Sequence, residues 1–143
     1  MTPYAKASDQ YLTQRVIGAS PEQLMALLLE GAQRFLSQAV QAMGRKDFAA
    51  KGQALNRVSA IVEELAVRLD QEAGGDLVMN LTRLYDWWGR EIIDAGAHLD
   101  PTRLERVSRQ MGEMRQTWEQ AHLASTGTGA AREAGFQAGG MVG

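Results

Sequence analysis

Apolar residues recur along this chain at helical spacing in four blocks, each closed by a short polar or glycine-containing break. The first block, Pro21 to Met43, is framed by start signals. Ser20 suits the N-cap, Pro21 the first helical position, and Gln23, three residues after the serine, completes a capping box. Gly44 marks its end. Leu24, Met25, Leu28, Leu29, Ala32, Phe35, Leu36, Ala39, Val40 and Met43, with Leu27 and Gly31, sweep roughly 220° of this helix. A helix packed by one face needs a stripe only somewhat wider than about 100°. Either more of this chain or a partner has to cover the excess.

The second block, about Phe48 to Asp70 with Asp47 as N-cap, carries Leu55, Val58, Val62, Leu65 and Leu69 in a stripe of roughly 140°. Ala54 and Ile61 stand at one edge of it, and Val67 lies among polar neighbours. The sequence "DQEAGGD" breaks the pattern at its glycine pair. A third block, about Asp76 to Ala97, aligns Leu77, Leu81, Leu84, Tyr85, Trp88, Ile92 and Ala95 and leaves Trp87 at or beyond the edge. Asp100 and Pro101 then open a fourth, with Leu104, Val107, Met111, Met114 and Trp118 in a seam of only about 80°. Strand signals are nearly absent. Short connections between helices of similar length predict an all-α, antiparallel up-down four-helix bundle. The expected organisation is an N-terminal segment over 1–18, a bundle over 19–123 and a Gly/Ala-rich tail over 124–143, whose composition offers too little burial to order it.

Composition narrows the function. A chain of 143 residues is long enough for one sizeable core. The absence of cysteine excludes disulfide scaffolds, cysteine-ligated zinc and thiol catalysis, and it suits a reducing compartment. Fifteen basic and seventeen acidic residues are interspersed at net charge −2, which gives no footprint for nucleic acid. No secretory signal or bilayer-length apolar run is visible, so membrane insertion is not expected and the chain reads as cytoplasmic.

Candidate chemistry is sparse. A di-iron bundle needs two Glu-x-x-His units, and only Glu119–His122 has that spacing, at the end of the fourth block. Asp70, Glu72 and Asp76 surround the glycine pair, where capping and helix-terminal charge explain them. Gly74-Gly75 lacks the spacing of a phosphate loop, and Ser20 has no partner base. No enzyme, cofactor or metal is expected. What remains is spare apolar surface, and a set of that size marks a binding site for another protein.

Three stretches, "YLTQRVIGASPEQLMALLLEGAQRFL", "LNRVSAIVEELAVRLDQEAGGDLVMNLTRLYDWW" and the closing Trp118, together resemble the flagellar export chaperones of the FliS family. The likeness runs from about Tyr11 to Trp118. It departs from the family pattern at Leu29-Glu30-Gly31, where an aromatic–acid/amide–Gly is usual, and at Trp87-Trp88, where a tyrosine leads. The resemblance implies a cytoplasmic chaperone that binds the disordered C-terminal segment of flagellin in apolar grooves, prevents premature polymerisation and assists delivery to the flagellar export gate. It also implies an N-terminal segment able to occupy a groove when flagellin is absent, with room for a homodimer through that segment. On this basis the partner-binding residues are expected to be Tyr11, Val16, Ile17, Leu24, Met25, Leu28, Leu29, Ala54, Ile61, Leu65, Leu84 and Trp87. An adaptor that binds another export component in place of flagellin is the alternative.

Overall fold

The computed structural model describes residues 13–133, with the side chains of Gln71 and of 127–133 left aside. Four long helices occupy it: α1 (Pro21–Gly44), α2 (Phe48–Val67), α3 (Gly75–Ala97) and α4 (Pro101–Glu133). A 3-10 turn, Gln71–Ala73, precedes α3, and residues 13–17 form a further helical segment. No helix among the described residues is long and apolar enough to cross a membrane.

The helix starts follow the sequence signals. At α1 the Gln23 N–H donates to Ser20 Oγ (3.1 Å) while the Ser20 N–H donates to Gln23 Oε1 (2.9 Å), a reciprocal capping box. Asp47 Oδ1 accepts from the Ala50 N–H at α2, and Asp100 Oδ1 from the Arg103 N–H at α4. Asp70 caps the 3-10 turn in the same way through Glu72 and Ala73.

Helix α1 ends at Gly44 as its glycine predicts, and the left-handed conformation in the turn falls on Lys46 (φ 60°); after α3 it falls on Leu99 (φ 52°). In each turn the next residue's N–H reaches back five positions, Asp47 to the Ala42 carbonyl and Asp100 to the Ala95 carbonyl, both at 2.9 Å. Each of these aspartates then caps the following helix, so one residue closes a helix and opens the next.

The described residues divide into two compact units, Leu28–Met114 and a second made of residues 13–27 with 115–133. In the first, all four helices pack as an antiparallel bundle. Tyr85, Trp88 and Glu91 of α3 meet Met114, Gln110 and Arg103 of α4, the numbers falling in one helix as they rise in the other. Gly31 and Phe35 of α1 likewise face Ile61 and Arg57 of α2. The core is apolar throughout, built on Leu29, Leu36, Val58, Leu65, Tyr85, Trp88, Ile92, Leu104, Val107 and Met111. Trp88 is wholly buried and donates its indole N–H to Gln110 Oε1 (2.8 Å), which satisfies the one polar atom it carries inside. Burial also pushes the Tyr85 phenol above its usual pKa.

Small residues set the closest approaches. A Cβ on Gly96 would stand 2.5 Å from Leu55 Cδ1, and Lys51 Nζ donates to the Gly96 carbonyl at 3.0 Å, so α2 and α3 nearly touch there. Gly112 of α4 leaves room for the Gln33 amide, which donates to the Ser108 carbonyl at 2.9 Å.

In the second unit, Ser20 Oγ also lies 3.0 Å from His122 Nδ1, tying the start of α1 to the C-terminal part of α4. His122 is thus half-buried at the end of a helix pair, and the Glu119–His122 spacing belongs to no cluster of metal-ligating groups among the described residues. The backbone of α4 runs on to Glu133, about three turns beyond the end expected near Leu123. The remainder of the tail, 134–143, lies outside the described residues.

Candidate functional site

The seam between α1 and α2 is where the first helix keeps spare apolar surface. Met25, Ala26, Leu29, Ala32, Leu36, Ala39 and Ala42 are buried by the chain itself, which absorbs most of the wide arc. Leu28 and Phe35 are only half-buried. They share a stripe with buried Gly31, because positions 28, 31 and 35 fall on one side of a helix. From α2, Ile61 leans over Gly31, its Cδ1 3.5 Å from where a Cβ would stand, and it is half-buried. Farther along, Phe35, Gln38, Gln41 and Arg45 of α1 face Ala50, Gln53, Ala54 and Arg57 of α2 across an open groove of about 350 Å³. The lack of a side chain at Gly31 and the small alanines at 50 and 54 keep this seam shallow.

The Phe35 ring is flanked by two guanidinium groups. Arg34 stands with its Cζ 6.0 Å from the ring centre, and Arg57, from α2, at 5.4 Å. Neither arginine nor any glutamine of this groove stood among the residues expected to bind. The sequence signal that locates them is positional: Arg34 adjoins Phe35, and Arg57 lies one turn before Ile61 on the same edge of α2.

A second groove of about 490 Å³ lies along α3 and the start of α4, lined by Trp87, Arg90, Ile93, Ala97 and a charged cluster. Arg103 Nη2 donates to Glu91 Oε1 (2.5 Å) and to Asp94 Oδ2 (2.6 Å), with Nε also donating to Glu91. These hydrogen bonds hold both carboxyl groups below their ordinary pKa and the guanidinium above its own. Trp87 is half-buried beside this clamp and Ile93 is 68% exposed. A third opening of about 410 Å³, between α1 and α4, is walled by Leu36, Val40 and Leu104 with Ser37 and Ser108.

The expected binding residues therefore divide. Ile61 lines the α1–α2 seam, with Leu28 on the facing stripe of α1 and Ala54 buried at its base (5% exposed), and Trp87 lines the α3–α4 groove. Leu24 and Leu84 are half-buried. Leu29 and Leu65 are wholly buried and Met25 nearly so, because their helical phase turns them to the core; their side chains offer a partner no surface in this structure. Val16 (48% exposed) and Ile17 (79%) have exposed side chains. Tyr11 lies outside the described residues. Val67, expected outside its stripe, is indeed exposed.

The family description "Flagellar protein FliS" matches residues 4–125. The flagellar secretion chaperone FliS of Salmonella typhimurium is 35% identical over 106 residues, 73% of this chain and 78% of the relative. FliSB of Pseudomonas aeruginosa, also a flagellar secretion chaperone, is 33% identical over 118 residues, 80% of this chain and 94% of the relative. A more distant relative, the flagellar secretion chaperone FliS of Bacillus subtilis, is 27% identical over 111 residues, 78% of this chain and 82% of the relative. The match spans the helices that build the α1–α2 seam, and with it the bundle finds its place: the chain belongs to the FliS family of flagellar secretion chaperones.

Proposed function

We propose that this protein is a cytoplasmic chaperone that holds the C-terminal segment of flagellin, keeps it from polymerising early and hands it to the flagellar export gate. The observation that carries this reading is the α1–α2 seam, where Leu28, Phe35 and Ile61 remain half-buried over a shallow floor of glycine and alanine. An amphipathic helix laid into such a groove buries its own apolar stripe against side chains the bundle has left uncovered. The work needs no catalytic group, since holding an unfolded segment is binding alone.

The test is a calorimetric titration with a peptide of the flagellin C-terminal segment encoded in the same genome. Ile61→Glu should weaken binding by about tenfold or more, because the charge would be desolvated by the client. Ala50→Trp, which fills the groove from a half-buried position, should do the same without entering the core. Circular dichroism checks that both variants are folded. Folded variants that bind as tightly as the parent would refute the groove.

A further inference from the structure

The part of the α1–α2 groove around Phe35 carries charge of one sign. Arg34 and Arg57 approach the same ring from two helices, and Arg45 lines the groove beyond them, with the Gln38, Gln41 and Gln53 amides between. Two neighbouring carboxylates are engaged or weakly placed. Glu64 is held by Arg68 at 2.7 Å, and Asp47 reaches Arg45 only at 3.8 Å. On a chain of net charge −2, three arginines around one groove are a local excess of the opposite sign. By contrast, the arginine of the α3–α4 groove is already taken by Glu91 and Asp94.

A guanidinium set against an aromatic ring keeps donors free at its edge, and its planar fork matches a carboxylate. We propose that this end of the groove recognises an acidic stretch of the client: an Asp or Glu beside an apolar residue, the apolar side chain lying on Phe35 and the carboxylate received by Arg34 and Arg57. This rests on the groove reading above and extends it from apolar burial to a mixed code. Apolar burial alone would accept any amphipathic helix. A carboxylate requirement fixes which segment is accepted and in which register, since a slip of one residue turns the acid away from the arginines.

The experiment compares the full chain with Arg34→Gln/Arg57→Gln, titrating the same flagellin peptide from about 50 to about 300 mM salt. The parent's affinity should fall as salt rises. The double variant should bind about tenfold more weakly at low salt and lose most of that salt dependence. A peptide with its acids changed to amides should bind parent and double variant alike. If Ile61→Glu weakens binding while the arginine variant changes neither affinity nor salt slope, the carboxylate code is refuted and the groove stands. If Ile61→Glu and Ala50→Trp also have no effect, the groove reading has failed first. A single-stranded oligonucleotide that binds the parent as tightly as the peptide does, and is lost in the double variant, would show a general anion site and overturn the acidic-client proposal.

Discussion

Two glycines seven residues apart in α3, Gly89 and Gly96, should respond to alanine with opposite signs. At Gly89 a Cβ would meet nothing within 4 Å, and the residue sits in the helix interior. Gly89→Ala should therefore gain the helix-propensity difference, about 1 kcal/mol, with no packing cost. At Gly96 the same Cβ would stand 2.5 Å from Leu55 Cδ1, well inside contact distance. Leu55 is itself buried, with 8% of its surface exposed, so its methyl cannot simply swing into solvent. Overpacking of this kind costs about 1–3 kcal/mol. Near the end of α3 the propensity gain is smaller, which leaves a net loss of about 1–2 kcal/mol. The Lys51 bond to the Gly96 carbonyl would also stretch if the helices parted to make room. Urea unfolding should separate the two variants by about 2–3 kcal/mol, with similar m-values if both remain two-state. Leu55→Ala should cost less in the Gly96→Ala background than alone, by roughly 1 kcal/mol, because the added methyl occupies part of the vacated space. Equal stabilisation by both alanines, or a cycle without coupling, would refute the close approach of α2 and α3.

Ser20→Ala removes the capping box together with the His122 contact and should lower stability by about 1–2 kcal/mol, a loss of a few degrees in thermal midpoint, whereas Ser20→Asp should restore much of the cap. Leu99→Gly relieves a bulky residue held at φ 52° and should raise the midpoint, a gain of about 0.5–1 kcal/mol after the added chain entropy; a loss would mean that Leu99 packs more than its exposure indicates. Arg103 holds Glu91 and Asp94 below their ordinary pKa, so its contribution is present above about pH 4–5 and fades as pH falls through their lowered values. Arg103→Gln should therefore cost more stability at pH 7 than at about pH 2–3, and parallel pH profiles for parent and variant would refute that linkage.

Much of the fold was legible because helices announce themselves locally. Ser20–Gln23, Asp47 and Asp100 cap the helices their spacing predicts, and the wide arc of α1 correctly identified the helix with the most apolar surface to cover. The position of the left-handed residue was not legible. The helix ends at Gly44, as its glycine indicates, but the left-handed conformation falls two residues beyond it on Lys46. Nor did composition mark the end of α4, since a run of Ala, Ser, Thr and Gly has little periodicity to read. At the groove, Ile61 and Trp87 showed their half-exposed status through helical phase alone. The two arginines over Phe35 did not, because the contact between Phe35 and Arg57 joins different helices and exists only once they pair. Leu29 and Leu65 illustrate the converse: an apolar residue in a wide stripe cannot be assigned to core or client until its neighbour's position is known.

The way α1 meets α4 has a consequence for the order in which the molecule comes apart. Each other helix pair is consecutive in sequence and zips outward from a short turn. The Gln33–Ser108 bond joins residues 75 positions apart and can form only after the chain has come full circle. Closing a loop of that length costs about 2–3 kcal/mol more entropy than closing a turn of a few residues. The seam held by Gln33, Ser108 and Gly112 is therefore the last to close in folding and the first to open under thermal fluctuation. Amide protons flanking it should exchange with solvent sooner than those flanking α2 and α3, so that the helix carrying half of the proposed groove is also the one most easily loosened from the rest.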